Sequence, residues 1–195
     1  ALTSLNCEIN NLTSLDLSNN TALTYLVGFG NQITSLDLSQ NTALETLIFD
    51  GNQLTSLDLS QNMALQRLNC KNNQLTSLDV RNGNNTNFTQ FKAAYNPNLT
   101  CIDVDDPAWS TANWTNIDSH TSFSANCNPV YGCTDSLALN YNPNADTDDG
   151  SCTYPMTYVP DDNFEQYLID QGWDDVLDDS VLTANIEVVT HLELV

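Results

Sequence analysis

Residues 12–32 read LTSLDLSNNTALTYLVGFGNQ, and residues 33–53 answer with ITSLDLSQNTALETLIFDGNQ. The same 21-residue step superposes Leu2, Leu23, Leu44 and Leu65, then Leu5, Leu26, Leu47 and Leu68, then Leu15, Leu36, Leu57 and Leu78. Each unit carries the pattern LxxLxL once strictly, at 12–17, 33–38, 54–59 and 75–80, and once loosely in its other half. Asn10, Asn31, Asn52 and Asn73 share one column, and Asn20, Asn41 and Asn62 another. Those columns fall at turns, where a side-chain amide can satisfy backbone groups left free when a strand ends.

A unit this short cannot bury its own leucines. It must stack on copies of itself, with short strands pairing in parallel about 4.8 Å apart. Alternation along a strand then sends Leu15 and Leu17 inward and Ser14, Asp16 and Ser18 outward. In the looser half, Cys7, Gly28, Phe49 and Cys70 form one inward column, where Gly28 makes room for the ring at position 49. Three rungs, roughly 14 Å, separate Cys7 from Cys70, beyond the about 7 Å Cα limit of a bridge, so both are expected as buried free thiols.

The Asn-rich LTSLDLSxNTAL text over residues 2 to 100 resembles leucine-rich repeats of secreted surface proteins of the Bacteroidetes bacteria. The resemblance implies a leucine-rich-repeat solenoid over 1–100 and a cap over 101–127 that closes it. In register, Cys101 falls 21 residues after Val80 and Phe91 continues the column of Cys70. From 102 to 127 the text turns irregular and aromatic, with Trp109, Trp114, Ile117 and Phe123 suited to covering the last rung. In the family that stretch closes the solenoid, which implies a Cys101–Cys127 disulfide.

Residues 132–152, GCTDSLALNYNPNADTDDGSC, resemble a short Cys-bounded module of the same kind of protein, departing slightly at Leu137-Ala138-Leu139. The module is expected over 128–154, with a Cys133–Cys152 bridge worth about 3 kcal/mol by loop entropy. Disulfides imply an oxidising, extracellular or cell-surface location. Asp135, Asn142, Asn144, Asp146, Asp148 and Asp149 crowd the module with hard oxygens. An EF-hand is excluded, because its spacing puts Asp149 at the turn glycine and Pro155 at the bidentate glutamate. A different calcium loop and a solvated Asx-rich turn both stay open.

Residues 155–195 are expected to form a helical cap and the first strand of a following repeat unit. Asp162-Asn-Phe-Glu165 has capping-box spacing, with Phe164 and Leu168 on one helix face before Gly172. The text at 159–186 resembles the amino-terminal cap of such repeats, and Val189 to Leu194 repeats the spacing of Leu12 to Leu17. Asp174, Asp175, Asp178 and Asp179 read as a solvated polar face in preference to a second calcium site. The phases of the two chain ends nearly meet, which predicts one window of a longer tandem array; two unlike solenoids are the alternative.

The chain has 195 residues, a net charge of −21, 27 Asn, and four Lys and Arg, none after Lys92. Such a surface repels phosphate, which excludes nucleic acid and anionic membranes as partners, and no apolar run predicts membrane insertion. No GxSxG, HExxH or phosphate loop occurs, and His120 beside Asp118 and Ser119 sits in a loop, so no enzyme is expected. Asp16, Asp37, Asp58 and Asp79 form a uniform outward stripe. By contrast Tyr25, Val27, Phe29, Ile48, Asp50, Arg67 and Lys71 vary from rung to rung and form the candidate contact surface. Two functions follow: a structural or adhesive repeat protein contacting copies of itself, which is favoured, or a recognition module for a cell-surface protein or glycan. The family resemblance also implies O-glycosylation at Ser136 and Ser180, each in an Asp-Ser-apolar triplet.

Overall fold

The computed structural model describes residues 1–186. Two parallel sheets run along the repeats of the first unit, Ala1–Cys127. One sheet takes the looser half of each rung: β1 Ser4–Asn6, β2 Tyr25–Val27, β3 Thr46–Ile48, β5 Arg67–Asn69 and β7 Gln90–Lys92, neighbours in that order. The other takes the stricter half: β4 Ser56–Asp58, β6 Ser77–Asp79, β8 Cys101–Asp103 and β9 Ser122–Ser124. Leu5, Leu26, Leu47, Leu68 and Phe91 stand in register along the centre of the first sheet. They merge with Leu57, Leu78 and Ile102 of the second sheet into one continuous core. The fold is a leucine-rich-repeat solenoid.

Turns hold the rungs apart at the spacing the strands need. Ile9, Gly30, Gly51, Asn72 and Tyr95 all adopt positive φ, between 51° and 67°. An asparagine follows each one. Asn52 donates to the carbonyls of Gly28 at 3.0 Å and Phe49 at 3.3 Å and accepts from the Ile33 N–H at 3.1 Å. Asn31, Asn73 and Asn96 repeat the arrangement on their own rungs. Each amide therefore ties two rungs together inside the stack. A second ladder runs through Asn41, Asn62 and Asn82, which donate to carbonyls of the preceding rung.

The fifth unit departs from the 21-residue step. Phe91 pairs with Leu68, 23 residues earlier, and Asp103 pairs with Asp79, 24 residues earlier. Phe91 thus continues the leucine column and not that of Cys70. Cys101 opens β8 beside Ser122, one residue before the buried Ile102, and does not occupy an inward slot. The cause is an insertion after Val80 that folds as the 3₁₀ turn Asn85–Asn87, followed by one further residue between Asn96 and Leu99.

The segment 101–127 is also less irregular than its text suggests, because it extends the second sheet by two strands. Between them α1, Pro107–Asn113, starts at Asp106, whose side chain accepts from the Trp109 N–H. Trp114 stacks on Phe91 with centroids 4.0 Å apart, and Phe88, Trp109 and Phe123 pack around the pair. This aromatic cluster covers the last rung, and the Cys101–Cys127 disulfide brackets it.

The second sheet pairs only from β4 onward, and the LxxLxL runs of the first two rungs form no strand. On the paired rungs the Arg81 guanidinium sits among the outward carboxylates of Asp58, Asp79 and Asp103. Arg81 sits 2.6 Å from Asp79 and 3.7 Å from Asp103, which would otherwise face each other in register. Partial burial raises the Asp79 pKa, but its bonds to Arg81 outweigh that and hold it below the ordinary 3.8. Asp79 therefore adds stability that is present above that value and is lost as pH falls through its lowered one. Arg81→Gln is expected to cost about 1 kcal/mol at neutral pH. The difference should shrink as the pH falls below the ordinary carboxylate range, as urea denaturation at neutral and at acidic pH would measure.

The second unit, Asn128–Val195, is described by itself. The Cys133–Cys152 disulfide closes a module whose β10, Tyr131–Gly132, pairs in parallel with β11, Thr147–Asp148. β12, Met156–Tyr158, runs antiparallel to β13, Ser180–Leu182, which the short α3, Thr183–Ile186, follows. Val159, Leu168 and Val181 form its small core. Helix α2, Asp162–Asp170, is capped by Asp161, whose side chain accepts from the Asn163 and Phe164 N–H groups. The cap lies one residue earlier than the capping-box spacing indicates, and Glu165 is buried instead of reaching back to the cap. The repeat-like spacing at 189–194 lies outside the described residues.

Candidate functional site

The outer face of the first sheet gathers the residues that vary along the solenoid. One row across β2, β3, β5 and β7 reads Tyr25, Thr46, Arg67 and Gln90, and the next reads Val27, Ile48, Asn69 and Lys92. Tyr25 is 38% exposed and Arg67 is exposed, so both are accessible. Phe29, Ile48, Asp50 and Lys71 are partly accessible. Val27 is only 4% exposed and drops out of the contact surface. Its short side chain lies mid-row between Asn6 and Ile48, with Tyr25 and Phe29 two residues away on the same face.

Two polar contacts order this face. Asn69 donates to the Asp50 carboxylate at 3.0 Å, and the Lys71 ammonium lies 4.9 Å from the ring centroid of Tyr95. Lys92, Gln90 and Tyr95 belong to the same face, and the sequence reading missed them. A strict 21-residue step sets Lys92 one repeat after Lys71, whereas the insertion moves it beside Asn69. The insertion hides in Asn-rich text where one asparagine column looks like another. Past Gln90 a shallow cavity of about 230 Å³ is lined by Phe88, Trp109, Asn113, Trp114 and Asn116.

Three of the four cations, Arg67, Lys71 and Lys92, therefore share one face of a chain with net charge −21. The fourth, Arg81, is held by Asp79 and Asp103 on the other sheet. The stricter halves of the rungs present Asp16, Asp37 and Asp58, each accepting from a serine N–H two residues on. The bonds from Ser18 and Ser39 keep Asp16 and Asp37 below the ordinary carboxylate range.

The remaining candidate residues fall into place singly. Cys70 is buried and its thiol is pushed up to about 12, while Cys7 is only partly buried and is raised less far. At about pH 8, iodoacetamide should leave Cys70 untouched in the folded protein while Cys7 reacts slowly. Both should react in concentrated guanidinium chloride; peptide mass spectrometry showing Cys70 labelled as fast as Cys7 without denaturant would contradict this burial. Asp118 accepts from the Tyr95 and Asn96 N–H groups, so its carboxylate stabilises a turn, and His120 is exposed. Ser136 is exposed, whereas the Ser180 hydroxyl donates to Asp178 at 2.7 Å.

The acidic residues of the disulfide module act as turn caps. Asp135 accepts from the Leu137 N–H and the Tyr154 hydroxyl, Asn142 from the Asn144 N–H, and Asp146 from the Val130 N–H. Asp148 accepts from Gly150 and Asp149 from Ser151. Among the described residues the acidic groups that do come together are elsewhere: Asp162, Glu165 and Asp179, with ligand oxygens within 4.8 Å of one another.

The fold and this face define a leucine-rich-repeat solenoid with one variable, partly cationic side. No protein-family model and no curated protein matches the chain. Among solved structures it is similar to the functional domain of InlJ from Listeria monocytogenes, described as including a cysteine ladder, at 37% identity and a TM-score of 0.46. That match covers 54% of this chain and 26% of the other. It is also similar to the internalin InlF of the same organism, at 18% identity and a TM-score of 0.44, over 65% of this chain and 48% of that one. The chain thus spans about a quarter and about half of these two proteins. In this chain the column from Cys7 continues as Gly28, Phe49 and Cys70, so cysteines do not follow one another from rung to rung.

Proposed function

We propose that the protein is a non-enzymatic adhesive repeat module of the cell exterior, holding a partner protein or glycan on the outer face of its first sheet. The observation that carries this reading is the sorting of side chains. Arg67 and Lys92 lie with Tyr25 on one sheet, Lys71 packs over the Tyr95 ring in the turns that follow its strands, and the other sheet repeats Asp and Ser. Cations beside exposed tyrosines are the residue types that anchor interfaces. Two disulfides in a chain this small support an oxidising location. A scaffold of short strands ending in fixed turns offers surfaces instead of a reaction centre.

The double variant Arg67→Glu/Lys92→Glu should reduce adhesion of protein-coated beads to a cell or glycan surface at least tenfold. Its circular dichroism should be unchanged, and Asp37→Asn should adhere as the native chain does. Equal adhesion by the charge-reversed variant would reject the face. Association between copies is the second reading, favoured by the opposite charges of the two sheets, which suit a head-to-tail contact. Salt-sensitive, concentration-dependent sedimentation of the purified chain would support it over a separate partner.

A further inference from the structure

We propose that Asp162, Glu165 and Asp179 form a calcium site in the second unit. Asp162 and Glu165 are three residues apart on α2 and so lie on one face of its first turn. Asp179 comes from the loop before β13, where positive φ (64°) lets the chain turn tightly. The ligand oxygens of all three lie within 4.8 Å of one another. Calcium ligands stand at about 2.3–2.6 Å, so two on opposite sides are about 5 Å apart, and this trio fits inside one coordination shell.

Proximity of acids alone would mean little. Glu165 supplies the independent observation, because it is 1% exposed and only one of its oxygens is engaged. Oε1 accepts from the Asp178 N–H at 2.9 Å and the Ser180 N–H at 3.1 Å. Those bonds pin the side chain and fix its direction. Oε2 is buried with no hydrogen-bond partner, beside two more carboxylates. Buried carboxylate oxygens are normally satisfied, and a cation is the partner that would satisfy Oε2 while neutralising the trio. An all-oxygen donor set with no His or Cys selects a hard ion, and the spacing favours calcium over the smaller magnesium. Calcium bound here would tie the start of α2 to the strand that pairs with β12.

Isothermal titration of the full chain with calcium tests this, alongside Asp162→Asn/Asp179→Asn. Both positions are exposed, and asparagine tolerates positive φ, so this variant keeps the fold where Glu165→Gln risks losing it. The native chain should bind calcium with a dissociation constant of about 10 µM to 1 mM, more tightly than magnesium, and its unfolding temperature should rise with calcium. The double variant should bind at least tenfold more weakly and lose that rise, while Asp146→Asn/Asp148→Asn in the disulfide module should keep both. No calcium binding by the native chain would overturn the proposal. Undiminished binding by Asp162→Asn/Asp179→Asn would overturn it equally.

Discussion

Replacing Asn52 with Ala should destabilise the solenoid by about 2–4 kcal/mol, far more than a change of one polar residue at a turn usually does. The amide of Asn52 closes four contacts to backbone groups on two rungs. Its loss does not orphan all four equally. The Asp50 carbonyl still accepts from the Gly30 N–H. The Gly28 carbonyl still accepts from Asn31 and the Phe49 carbonyl from Asn73. The Ile33 N–H, however, is left buried without an acceptor, and a void opens where the amide stood. Asn10→Ala, at an exposed position of the same column, should cost less than about 1 kcal/mol. Urea denaturation of the two variants compares them directly. Equal midpoints would mean that the asparagine ladder is turn chemistry alone and does not join rungs.

The second large effect lies in the core. A Cβ added at Gly28 would stand 2.4 Å from Cε2 and 2.8 Å from Cζ of Phe49, so the ring occupies the space a side chain would need. Gly28→Ala should therefore cost about 1–3 kcal/mol through overpacking, and Phe49→Ala about 3–5 kcal/mol through the cavity it leaves. In the Phe49→Ala background the Gly28→Ala change should be nearly free. The double-mutant cycle then yields a coupling about equal to the Gly28→Ala cost itself, about 1–3 kcal/mol. Additive losses would show that the ring moves aside and that the two positions do not share one volume.

The sequence revealed most where the period is undisturbed. Leu26, Leu47 and Leu68 repeat at 21 residues, and alternation placed them inward without ambiguity. Gly28 beside Phe49 was legible for the same reason, because a gap in one rung of an inward column must be filled by a neighbour. The fifth unit was not legible, since two extra residues among Asn82, Asn84, Asn85 and Asn87 leave no trace in residue type. That displaced Phe91, Lys92 and Cys101 from their expected columns. Val27 was misjudged because alternation gives the face of a residue but not the height of its neighbours. Glu165 was misread because Asp-x-x-Glu fits both a capping box and two carboxylates on one helical turn. Only the burial of Glu165 and the approach of Asp179 from the loop before β13 distinguish these.

The central claim is a stack of repeats in one specific register, slipping by two residues after Val80 and by one more between Asn96 and Leu99. Nuclear Overhauser contacts between amides of neighbouring strands in the labelled protein measure that register directly. The account predicts cross-strand contacts that run Leu26 to Leu47 to Leu68 at 21-residue steps, then Leu68 to Phe91 and Leu78 to Ile102 at 23 and 24. Contacts that keep the 21-residue step through the fifth unit, or that do not join Leu26 to Leu47 at all, would contradict it.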